Sequence, residues 1–109
     1  MITLSEFKAL DIRVGRILSV DDFVEAKTSA YKIIVDIGPL GKKQSSAQIT
    51  DLYSKEDLLG RKVLCVANLP PLKVAGFKSE VLILGACPEG EPVVLLKLDD
   101  DVPEGTRIS

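Results

Sequence analysis

The chain has 109 residues, 46% of them hydrophobic and 28% charged, with a formal net charge of −2. That length holds one ordinary core and leaves no room for two, so a single domain over residues 1–109 is expected, with apolar content sufficient to fold without disulfides or a structural metal. Histidine is absent, which removes Ser-His-Asp and Cys-His catalysis, the commonest general base at neutral pH and the commonest zinc ligand.

Taken in chain order, Thr3-Leu4-Ser5-Glu6 has the spacing of a capping box and predicts a short helical turn ending near Leu10. Ile12 to Val20 reads as a first strand. Ile12 and Val14 fall on one face and Gly15 and Ile17 on the other, and a glycine inside a strand predicts a bulge or bend. Ala30 to Ile37 is a second strand, with Tyr31, Ile33, Val35 and Ile37 alternating. Gly38-Pro39-Leu40-Gly41 is turn chemistry, and Lys42 to Ile49 follows as a polar third strand in a hairpin with the second. Ser54 to Gly60 carries an N-cap serine, early acids and a terminal glycine, the start and stop signals of a short helix. Arg61 to Leu69, Glu80 to Ala86 and Val93 to Leu98 read as a fourth, fifth and sixth strand, and Thr106 to Ile108 as a short last one. Several short strands with a helix between the third and fourth predict an all-β protein with short helices, an OB-fold β-barrel extended at both ends.

Between the fourth and fifth strands, Asn68 to Glu80 is too long for a tight turn. It mixes lysines, a lone phenylalanine, a proline pair and hydrogen-bonding side chains, which is the composition of a binding loop on a rigid scaffold. Charge supports this placement. Residues 41–80 carry Lys42, Lys43, Lys55, Arg61, Lys62, Lys73 and Lys78 against Asp51, Glu56, Asp57 and Glu80, a net of +3, whereas residues 81–109 sum to −4. Lysines there suit phosphate or carboxylate as point charges. A second candidate surface is Lys42 to Gln48, because OB barrels commonly bind on the face of strands 2 and 3. Aromatic residues make up only 5% of the chain and most are expected in the core, which disfavours a multi-ring single-strand platform and suits recognition of a folded RNA by shape and phosphate.

Cys65 and Cys87 lie in apolar runs and are expected to be buried reduced thiols. No phosphate loop or metal-ligand cluster is visible, and the Asp99–Asp101 carboxylates read as a solvated acidic turn. A binding module with no catalytic residue, no metal and no cofactor is therefore expected. No apolar run approaches the ~18–20 residues of a membrane span, and no signal peptide is apparent at the start, so a cytoplasmic protein without membrane insertion is expected.

The segments Asp11-Ile12-Arg13-Val14-Gly15-Arg16-Ile17, Ser45-Ser46-Ala47-Gln48-Ile49-Thr50, Asn68-Leu69-Pro70-Pro71 and Ala75-Gly76-Phe77-Lys78-Ser79-Glu80-Val81-Leu82 together resemble the tRNA-binding domain family, from about Phe7 to Ile108. That family includes the C-terminal module of some methionyl-tRNA synthetases and free-standing dimers. Where tRNA-binding members usually read Ser-Gly and Ser-Glu-Gly-Met, this chain has Ser45-Ser46 and Ser79-Glu80-Val81-Leu82, which looks like the CsaA-like branch of secretion-related chaperones. The resemblance implies an OB barrel, a homodimer built through the terminal extensions, and tRNA or unfolded precursor polypeptides as partners. It carries Ser45, Asn68, Lys73, Ser79 and Glu80 to the tRNA-facing set, to which charge and position add Lys42, Lys43, Ser46 and Lys78. Leu72, Val74 and Phe77 are the expected peptide-binding patch. One loop serving both partners, or a peptide-binding chaperone with little tRNA affinity, are both open at this point.

Overall fold

The computed structural model describes residues 1–109 as a mostly β molecule with two short helices. Both helices begin as their sequences predict. Thr3 caps α1 (Leu4–Lys8): its hydroxyl accepts from the Glu6 N–H, and the Glu6 carboxylate accepts from the Thr3 N–H. Ser54 and Asp57 do the same for α2 (Lys55–Leu58), and hydrogen bonding from Ser54 holds the Asp57 carboxyl below its ordinary range. α2 drives Leu58 into the core, whereas α1 buries none of its residues.

The centre of the fold is β1 (Ile12–Asp22), whose neighbours are β2 (Tyr31–Asp36), β4 (Lys62–Val66) and the terminal β10 (Arg107–Ile108), all antiparallel to it. β3 (Lys42–Ala47) pairs with the far side of β2, and β7 (Leu82–Ile83) with the far side of β4, giving the order β3-β2-β1-β4-β7. β1 serves both halves of this curved sheet. Ile12 and Val14 are buried from one face and Gly15 and Ile17 from the other, as the alternation predicts. The expected bulge is displaced, however: the register shifts between Ile17 and Ser19. Gly15 has a different purpose. A Cβ there would lie 2.3 Å from Val35 Cγ1, so glycine lets β2 approach β1 closely.

Twelve buried residues form the core cluster, among them Ile17, Ile33, Val35, Ile37, Leu58, Val63, Val81 and Leu95. At about 1.5–3 kcal/mol for each large side chain removed from water, this cluster supplies the main favourable contribution to folding. The sheet closes on itself through β3. The Ser45 hydroxyl donates to Val81 O at 2.8 Å, and the Glu80 N–H donates to Gln44 O at 2.8 Å. The result is a nearly closed five-stranded barrel, the OB-like fold expected from the sequence.

The later strands are shorter than predicted. The fourth ends at Val66, with one further bond in the same register, from the Ala67 N–H to Asp11 O. The fifth divides: Leu82–Ile83 stay on β4, whereas β8 (Gly85–Ala86) pairs with β9 (Val94–Leu95) in a separate ribbon. β9 is all that forms of the expected strand Val93–Leu98. Tyr53 pins it, its hydroxyl accepting from the Leu95 N–H at 2.8 Å. The acidic segment after it is strapped to the barrel by charge. Arg16 Nε donates to Glu104 at 2.9 Å, Lys62 pairs with Asp101 and Glu104 and donates to Val102 O, and Arg13 donates to Gly105 O. Hydrogen bonding from Arg16 holds Glu104, and from Lys62 holds Asp101, below the usual carboxylate range. Cys65 is buried as expected, and burial pushes its thiol up to about 12. Cys87 is exposed, contrary to expectation, because the chain leaves the barrel after β8. No helix is long and apolar enough to cross a membrane.

Candidate nucleic-acid interface

The segment Asn68 to Glu80, expected as a loop, folds as a hairpin. β5 (Leu72–Val74) and β6 (Phe77–Ser79) pair in the register Leu72↔Ser79, Lys73↔Lys78 and Val74↔Phe77. The two residues between them, Ala75 and Gly76, have φ of 47° and 83°. Positive φ at both central positions is the two-residue turn whose twist matches paired strands, a place usually held by Asn-Gly or Asp-Gly. Alanine pays a steric penalty of about 1–2 kcal/mol in the left-handed region, and Ala75 is the one non-glycine residue in this chain with positive φ.

Strand alternation divides the hairpin into two faces. Lys73 and Lys78 stand directly opposite one another and are exposed. Like charges in that position are destabilising. The other face carries Leu72, Val74, Phe77 and Ser79. It is the face that docks, because Ser79 Oγ accepts from the Ser46 N–H at 3.0 Å and Phe77 packs on Phe23 with ring centroids 5.4 Å apart. The two hairpin lysines expected for RNA and the apolar side chains expected for polypeptide therefore lie on opposite sides of one ribbon, with Ser79 on the apolar side. Leu72 remains 66% exposed, while Val74 and Phe77 are half-buried.

The hydrogen-bonding residues of the expected interface hold the protein together. Ser45 is buried and its hydroxyl is engaged by Val81, so it has no surface to offer a ligand. Strand pairing explains this: Ser45 lies opposite Ile33 on the inward side of the sheet. Glu80 Oε1 accepts from the Gln44 N–H at 3.1 Å, and Gln44 Nε2 donates to Lys78 O at 2.8 Å. Asn68 is exposed, yet its amide bridges two elements, Oδ1 accepting from the Asp11 N–H and Nδ2 donating to Ala9 O, both at 2.8 Å. Ser45, Ser79 and Glu80 join β3 to the end of the hairpin, and Asn68 joins the end of β4 to the start of β1. Ser46 is half-exposed on the outer face of β3, across from Lys32 of β2.

Four lysines of the expected set remain free. Lys42, Lys73 and Lys78 are exposed and Lys43 is half-exposed, and none makes an ion pair. Arg13, Arg16, Lys32, Lys55 and Lys62 are each matched by a carboxylate. Uncompensated cations on β3 and on the hairpin joined to it can meet phosphate without first breaking an internal pair. Sequence reasoning missed Lys32 and Phe23, which flank Phe77. The signal for Lys32 was its polar position in the alternation of the second strand. Nothing marked Phe23, since its contact with Phe77 spans 54 positions.

An OB-like barrel with free lysines on its third strand and on a hairpin beside it defines a ligand-binding scaffold, with its charge suited to phosphate. Residues 12–107 match the model of the tRNA binding domain family, and the chain belongs to that family. Among curated relatives it is 42% identical over 108 residues to methionine–tRNA ligase of Methanothrix thermoacetophila, a match covering 99% of this chain and 16% of that protein. The chain thus spans about a sixth of the length of the ligases it matches. Among solved structures, chaperone CsaA of Bacillus anthracis superposes with a TM-score of 0.95 at 49% identity, covering 100% of this chain and 99% of that one. The CsaA chaperone protein of Picrophilus torridus does so with 0.93 at 46% identity, covering 100% of both chains.

Proposed function

We propose that this chain is a non-catalytic, cytoplasmic tRNA-binding module of the CsaA-like kind, acting as a homodimer. The observation that carries the RNA reading is the set of unpaired lysines, Lys42, Lys43, Lys73 and Lys78, on the barrel's third strand and its adjoining hairpin. Their positions favour electrostatic contact with the backbone of a folded RNA. Ser45, Ser79 and Glu80 tie the third strand to the hairpin, and Asn68 anchors the start of the hairpin segment to the start of β1. Ser46, half-exposed beside the lysines, is the serine of the set whose hydroxyl makes no internal hydrogen bond. Titration of the protein with bulk tRNA at rising salt tests the reading. A linear fall of log affinity with log salt is expected. Absence of binding at low salt, or binding indifferent to salt, refutes it. The dimer is supported by α1, which buries none of its residues and leaves Ile2 and Leu4 68% and 67% exposed, and light scattering of the purified protein measures it.

A second reading, capture of unfolded precursor polypeptides in support of secretion, is favoured by the similarity to two CsaA chaperones and by the exposed Leu72 beside half-buried Val74 and Phe77. It predicts slower aggregation of an unfolded client, with the effect weakened by Leu72→Ser and untouched by Lys73→Gln. The reverse ranking of these variants would discard it.

A further inference from the structure

One aromatic assembly lies beyond the lysine set. Phe77 meets Phe23 edge to face, with their planes at 64°. The Lys32 ammonium sits 4.9 Å from the centroid of Phe23 and 5.6 Å from that of Phe77. Its carboxylate partner, Glu25, is 3.7 Å away, and the two side chains are 33% and 55% exposed, so this is a loose pair that solvent weakens. The five aromatic rings are not equivalent. Phe23 and Tyr31 are buried. Tyr53 is fixed by Leu95 and overlain by Arg61. Phe7 belongs to the terminal helix. Phe77 alone is a partly exposed ring on the element that also carries Lys73 and Lys78.

Proteins read RNA mainly at unstacked bases, which lie against aromatic faces while cations meet the backbone. A ring with an ammonium beside it offers both halves of that receptor, and the shallow hold of Glu25 leaves the ammonium able to turn outward. We propose that Phe77 and Lys32 form a stacking subsite for a single unpaired nucleotide of the bound RNA, the ring receiving the base and Lys32 its phosphate. Phe23 is the positioning residue that fixes the ring. The subsite rests on the RNA-binding reading above and adds a preference for unpaired nucleotides over continuous duplex.

The chain has no tryptophan, so Phe77→Trp installs a sole indole reporter at the subsite. End-labelled tRNA, followed by anisotropy, reports binding independently of it. Quenching of the indole with the same midpoint as the anisotropy is expected, whereas a blunt RNA duplex binds without quenching. Phe77→Leu should weaken tRNA binding about tenfold with the salt slope unchanged, because a stacking contact is lost and no counterion is involved. Phe77→Tyr should retain wild-type affinity. Lys32→Gln should weaken binding severalfold and lower the salt slope by about one. Full binding with an unquenched indole, quenching by an unfolded polypeptide alone, or equal losses in Phe77→Leu and Phe77→Tyr overturns the subsite while leaving RNA binding standing. No anisotropy change with the wild-type protein overturns the RNA-binding reading itself.

Discussion

The hairpin over residues 72–79 and the C-terminal strap over residues 99–108 use charge in opposite ways. In the strap, Asp101 and Glu104 meet Lys62 and Arg16, and the Arg13 guanidinium closes on a carbonyl of the same segment. In the hairpin, two lysines face each other across the ribbon with no carboxylate between them, and the turn that presents them holds an alanine in a conformation suited to glycine. The strap uses its charges to stabilise the barrel. The hairpin keeps like charges and a strained turn, both of which lower stability, and strain of this sort gathers at binding sites. Charge engaged in stabilising the barrel and charge left without a partner thus lie in different regions.

The largest expected effect tests that division directly. Replacing Lys42, Lys43, Lys73 and Lys78 together by glutamine should reduce tRNA affinity at low salt by roughly a hundredfold and lower the salt slope by about three, with no loss of Tm, since no internal pair is broken. Titration and thermal melting of the same sample check both halves. Next in size, Lys62→Met should destabilise the barrel by about 2 kcal/mol, lowering Tm by several degrees while tRNA affinity is unchanged. A loss of affinity in this variant would mean that the two regions are coupled.

Ala75→Asn should raise stability by about 1 kcal/mol, as asparagine tolerates the left-handed region better than alanine. The gain is expected chiefly as slower hydrogen exchange of the amides over residues 72–79. The smallest effect concerns acid. Glu104 and Asp101 titrate below their ordinary range because Arg16 and Lys62 hold their charged forms. Their contribution is therefore complete above the ordinary carboxylate values and is lost as pH falls through the lower folded values. Glu104→Gln should melt lower than wild type at neutral pH and show a shallower decline of Tm in acid.

The barrel was largely legible in the chain. Alternation in Tyr31 to Ile37, the Thr3–Glu6 capping box, the Ser54 N-cap and the Gly38–Gly41 turn each act through near neighbours, and each is present in the structure. The hairpin was not legible, since Ala75-Gly76 lacks the usual turn signal and the proline pair before it reads as a connector. Of the candidate surface, the accessibility of the lysines was legible, since Lys42, Lys43, Lys73 and Lys78 reach solvent without an ion pair, and the placement of the hydrogen-bonding side chains was less so. Ser45 looked like a surface serine because Lys42 to Ser46 is an unbroken polar run, with the apolar Ala47 and Ile49 of the same face following only after it. Its inward position follows from the register with Ile33, and its partner Val81 is 36 positions away. Asn68 likewise acts through Ala9 and Asp11, contacts that no local pattern announces.

The pairing of β10 with β1 has a consequence for protein engineering. Ile12 faces Ile108, and Arg107 reaches back to the carbonyl of Lys8, so the backbone enters and leaves the barrel at one place. A polypeptide arranged in this way can be spliced into a surface loop of a host without prying the host apart, or joined end to end and reopened at a distant turn. The exposed turn between β8 and β9, around Gly90, is such a point. A circular permutant opened there should retain the strand order of the barrel and leave the lysine hairpin undisturbed.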